Sequence, residues 1–222
     1  MPQIDLNELI QNINRITTHW SAVNAAFPQK PLVIPSSAIV PGGLTLAQLS
    51  ALSAAISADF TQVVQVDNAQ QDAQTRRNEA RKALLPRIKL FRKTVTGYLP
   101  DSTYAKQLPE TPAVGANDRL FEDTGDDIAS LWAAINADTA QDITRPLTLS
   151  DGTDLAAFQA LLSTVKATNA ALPVAKETAR QVRATRDEKV KRAIAALGRY
   201  RKVAQVFLPP DHPLLATLPT LA

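Results

Sequence analysis

Two histidines, the adjacent carboxylates Glu122-Asp123 and Asp126-Asp127, and two dense runs of arginine and lysine are the groups with which this chain could do chemistry. Acid–base catalysis needs a second group positioned beside the imidazole. His19 flanks Trp20 within an apolar stripe, and His212 sits in a proline-rich turn with no evident partner. Both therefore read as structural. Glu122-Asp123 and Asp126-Asp127 offer oxygen ligands for a hard cation, but neighbouring residues on a helix point to different faces. The Glu-x-x-His spacing of di-iron bundles does not occur. No phosphate-binding glycine loop, nucleophile elbow or zinc spacing occurs either. With no cysteine, disulfides, thiolate metal sites and thiol chemistry are excluded. The expectation is a protein that is not an enzyme, with no catalytic, cofactor-binding or metal residues and no cofactor.

Charge is more informative, because its signs are segregated although the net charge is only +3. Residues 76–93 hold Arg76, Arg77, Arg81, Lys82, Arg87, Lys89, Arg92 and Lys93 against Glu79 alone, and residues 176–202 are likewise basic. Residues 101–154 are the reverse, with Asp118, Glu122, Asp123, Asp126, Asp127, Asp138 and Asp142 prominent. One reading is that opposed surfaces meet within the molecule or between copies, or are solvated helix faces. The other is an anion-binding face for nucleic acid or an acidic membrane. In that case Arg76, Arg77, Arg92, Lys93, Arg186, Arg201 and Lys202 would neutralise the phosphates. No nucleic-acid module signature accompanies them.

The elements that must carry these groups are set by a stretch that occurs twice. Arg77-Asn78-Glu79 aligns with Arg186-Asp187-Glu188, and the same offset of 109 runs without a gap from Gly43/Gly152 to Gln107/Ala216. It carries Leu46/Leu155, Leu52/Leu161, Lys82/Lys191, Arg92/Arg201, Lys93/Lys202 and Leu99-Pro100/Leu208-Pro209. This is an internal duplication. The preceding segment repeats in shortened form: Trp20, Val23 and Asn24 match Trp132, Ile135 and Asn136, and Lys30-Pro31-Leu32 matches Arg145-Pro146-Leu147. The fold class is therefore all-α, with two tandem repeats, 1–112 and 113–222, that pack together. Each comprises a short amphipathic helix, an extended strap and a long helix, in an elongated antiparallel bundle.

Within the first repeat, Asp5 and Glu8 mark a helix start. Leu6, Leu9, Ile13, Ile16, Trp20, Val23 and Phe27 then form one stripe at helical spacing, ended by Pro28. Residues 30–35 and 38–40 read as extended, a small hairpin or strap, before a Pro41-Gly42-Gly43 turn. Thr45 and Asp154 can cap the two long segments. Each segment carries two apolar stripes joined by an alanine-rich middle, which is either a closely packed seam or the exposed tip of a hairpin. The scarcity of turn residues favours one continuous helix per repeat, kinked at Pro86 and Pro173, over a hairpin. After each long helix a proline tail follows, in which Asp101 and Asp211 can cap a single helical turn. Trp20 and Trp132 are core anchors.

At 222 residues, 45% hydrophobic but only 5% aromatic and with 7 glycines, the chain can bury a core and suits packed helices. Residues 1–10 lack a basic region followed by an apolar core, so no signal peptide is expected and the location reads as cytoplasmic. The longest uncharged run, 31–58, is broken by Pro35, Pro41, Gly42 and Gly43, which excludes a membrane span. The expected function is a structural or scaffolding protein that self-associates into a homomeric assembly or binds a protein partner. Binding of nucleic acid or an acidic membrane surface is the alternative.

Overall fold

A computed structural model describes residues 5–40, 42–113, 115–141 and 143–220. Pro41 of the expected turn and Asp142 of the acidic stretch lie outside them. The described chain is helical: α1 (Leu6–Ala26), α2 (Leu46–Tyr98), α3 (Thr103–Lys106), α4 (Asp118–Ala137), α5 (Leu155–Phe207) and α6 (Pro213–Ala216). The expected extended segments form a strap whose one β-type pairing, among the described residues, is the bridge Ile34–Leu44. No described helix is long and apolar enough to cross a membrane.

Helix starts follow their capping residues. Asp5 Oδ1 accepts from Asn7 N at 2.8 Å. Thr45 and Gln48 form a reciprocal capping box at α2, with Gln48 Oε1 accepting from Thr45 N at 2.8 Å and Thr45 Oγ1 accepting from Gln48 N at 3.3 Å. Asp154 Oδ1 accepts from Ala157 N at 2.8 Å at the head of α5. The long segments are continuous: α2 runs through Pro86 and α5 through Pro173, each 53 residues long, so the hairpin alternative falls. Both prolines lie on exposed positions, where the ring displaces no core side chain. The alanine-rich middle of α2 is helix, with Ala73 half-buried and Ala80 buried rather than at a tip.

Two compact units result, Met1–Val66 with Ala179–Ala222 and Asp67–Thr178. Each therefore joins residues from both sides of the sequence boundary near 112. In the first unit α1 and the strap close over the early part of α2 and the late part of α5, burying Ile13, Ile16, Trp20, Leu49, Ile56, Leu197 and Tyr200. Trp20 packs on Tyr200 with ring centroids 4.9 Å apart. In the second unit α4 covers the late part of α2 and the early part of α5, and Trp132 lies against Phe91 (4.8 Å) and Phe158 (5.7 Å).

One pair of bonds fastens the strap in each unit. Trp20 Nε1 donates to Leu32 O at 3.0 Å while Leu32 N donates to Asn24 Oδ1 at 2.9 Å. Trp132 Nε1 donates to Leu147 O at 3.1 Å while Leu147 N donates to Asn136 Oδ1 at 2.8 Å. Each buried indole N–H and strap carbonyl is thereby satisfied.

Candidate interaction surfaces

Both histidines have structural partners. Buried His19 meets Tyr200 Oη through Nδ1 and Leu214 O through Nε2, each at 2.7 Å. A carbonyl only accepts, so Nε2–H donates to Leu214 and Nδ1 accepts from the phenol. Burial raises the Tyr200 pKa, which keeps that phenol proton in place. His212 Nδ1 accepts from Leu214 N at 3.3 Å, and its ring lies 5.4 Å from Phe27. His212 thus caps α6 in place of the expected Asp211. Ser102 caps α3 in place of Asp101, its Oγ accepting from Ala105 N at 3.2 Å. Each short helix starts one residue later than the aspartates require, and a cap must immediately precede the first helical residue.

Many charged side chains are paired inside a unit. In the second unit Arg77 and Arg81 converge on Asp118, with Arg77 Nε donating at 2.9 Å. Arg81 is only 3% exposed; it donates to Ala116 O at 2.7 Å and lies over Phe121 at 4.9 Å. Burial and the adjacent Arg77 charge lower its pKa, while Asp118 and Glu122 oppose that shift. Arg87 pairs with Asp151 at 3.2 Å and Lys166 with Asp126 at 2.7 Å. In the first unit Lys189 pairs with Asp59 at 2.7 Å, and Arg186 lies over Phe60 at 5.1 Å while binding Asp187. The adjacent carboxylates of α4 do diverge: Glu122 accepts from Asn169 at 2.7 Å and Asp123 approaches Arg119 at 3.5 Å. No cluster of three or more metal-ligating side chains occurs among the described residues.

The seven sequence candidates for anion binding do not form one group. Arg76, Arg77, Arg92 and Lys93 belong to the second unit, and Arg186, Arg201 and Lys202 to the first. Arg76, Lys93 and Lys202 are exposed, whereas Arg77 and Arg186 are engaged as above. Arg92 and Arg201 are half-buried, each with one guanidinium nitrogen enclosed and unbonded. Asn169 and Arg81, both buried, are partners that periodicity alone does not reveal, because polar side chains there interrupt an apolar stripe.

Sequence reasoning also misses an apolar groove of about 700 Å³ in the first unit, where the end of α5 meets the end of α1 and the strap. Phe27, Val203, Val206 and Phe207 line it, and Lys30 and Lys202 stand at it, both exposed. Lys30 aligns in sequence with Arg145, but Arg145 turns inward, donating to Gln141 O at 2.6 Å and to Asp138 O. Only the three-dimensional meeting of residues 27–35 with 202–207 exposes the site. No protein-family model, curated protein or solved structure matches this chain.

Proposed function

We propose that this chain is a non-enzymatic structural or scaffolding protein built from two copies of one helical repeat, and that it works by self-association. The observation that carries the reading is the apolar groove at the end of α5, with Val206 88% exposed and two lysines beside it. A contiguous apolar surface edged by charge suits a protein contact. The internal pairing of Arg77, Arg81, Arg87 and Lys189 supports the same reading, because it withdraws cationic groups from any external anion. The matching tryptophan–strap bonds of the two units support the duplication.

A second reading has its own observation. Lys82, Lys89 and Lys93 are exposed at spacings of seven and four along α2, hence on one helix face that a phosphate backbone could follow. Solution mass by light scattering after size exclusion, across protein concentration and salt, separates the two. Self-association predicts a discrete oligomer or polymer that grows with concentration and weakens with salt. A monomer throughout, together with salt-sensitive binding to DNA or acidic liposomes, would reverse the order.

A further inference from the structure

We infer that the groove at the end of α5 receives the outer face of α4 from a second copy of this chain, an assignment that rests on the self-association reading. The groove offers an apolar floor, Phe27, Val203, Val206 and Phe207, and two ammonium groups, Lys30 and Lys202, whose side chains make no hydrogen bond or ion pair in the described structure. Its occupant must therefore present an apolar side chain flanked by anionic ones.

The outer face of α4 has that composition. Leu120, Asp123 and Asp127 stand at i, i+3 and i+7, on one exposed face that borders the stripe Phe121, Thr124, Ile128, Leu131 and Ile135 buried in the second unit. Leu120 is 50% exposed. Asp127 is exposed without a partner, and Asp123 meets only Arg119, itself 91% exposed, a surface pair of little strength. Further along the same face Ser130 and Ala134 are small and exposed, so a groove wall can approach closely. The equivalent helix α1 carries no carboxylate beyond Glu8 among the described residues, so the acidic face is specific to α4. Groove and face are different surfaces, one in each unit, so every copy offers both halves of the contact.

Charge reversal tests this on the full-length chain, at exposed positions whose folding is checked by circular dichroism. Lys30→Glu/Lys202→Glu makes both surfaces acidic, and Asp123→Lys/Asp127→Lys makes both basic. Each variant alone is expected to weaken self-association by about tenfold or more. Mixing the two restores complementary contacts in both directions, and the large species returns. Wild type that assembles while the reversed variants assemble equally well, or a mixture that fails to recover, would overturn the groove assignment and leave self-association standing. Wild type that stays monomeric at every concentration would overturn both.

Discussion

Gly43 and Gly152 occupy equivalent aligned positions with nearly equal left-handed backbone angles, φ +75° and +82°, yet their surroundings differ. Replacing either by alanine places a Cβ in a region costing about 1–2 kcal/mol, less about 0.4–1 kcal/mol recovered from a stiffer unfolded chain. At Gly152 no atom lies within 4 Å of the new Cβ, so Gly152→Ala should cost about 1 kcal/mol or less. At Gly43 the Cβ would stand 2.5 Å from Ile34 O, a backbone atom that cannot rotate aside. The strap must move, which strains the bridge in which Ile34 N and Leu44 N each donate to the other's carbonyl at 2.9 Å. Loosening two such bonds adds about 0.5–1.5 kcal/mol each, so Gly43→Ala should cost about 2–4 kcal/mol in all. Urea unfolding followed by circular dichroism measures both variants. Hydrogen exchange at Ile34 and Leu44 should accelerate only in Gly43→Ala. Equal destabilisation of the two variants within about 0.5 kcal/mol would refute the clash argument.

Other perturbations follow from the same contacts. Asp118→Asn removes the carboxylate facing buried Arg81; because Asp118 is itself 41% exposed, the cost should be about 1–3 kcal/mol rather than that of a fully enclosed pair, read from urea midpoints. Tyr200→Phe deletes the phenol that donates to His19 and should cost about 1–2 kcal/mol in chemical denaturation. Burial holds the Tyr200 pKa above its ordinary value, so its contribution is complete below about pH 10 and declines above it. The alkaline limb of a stability–pH profile should therefore flatten in Tyr200→Phe. Asp151 behaves oppositely: the Thr153 N–H, donating at 3.0 Å, and then the Thr153 hydroxyl hold its pKa down. The order of its turn should be complete above about pH 4 and fall away below it. Hydrogen exchange at Thr153 should lose that acid response in Asp151→Asn.

Much of the architecture was legible from local residue order. Thr45, Asp154 and Asp5 mark helix starts because a capping oxygen acts on N–H groups two or three residues away. Stripes such as Leu84, Ile88, Phe91 and Val95 are buried because helical spacing puts them on one side whatever covers them. Trp20 and Trp132 were recognisable as anchors for the same reason, being large apolar groups inside such stripes.

What covers each stripe was decided by contacts between residues far apart in the chain. Trp20 packs on Tyr200, while Trp132 packs on Phe91, so each short helix closes over the long helix of the other sequence half as well as that of its own. Nothing in residue spacing encodes that exchange, because either long helix offers a suitable apolar face. That α2 and α5 run on through Pro86 and Pro173 was legible in the scarcity of turn residues, but that each contributes to both units was not. The fate of the charges is a tertiary matter as well. Arg77 and Lys93 look alike in a basic run, but only Arg77 comes within reach of Asp118 on another helix. Lys30 and Lys202 stand beside one groove because the end of α1 meets the end of α5, a proximity of side chains separated by most of the chain.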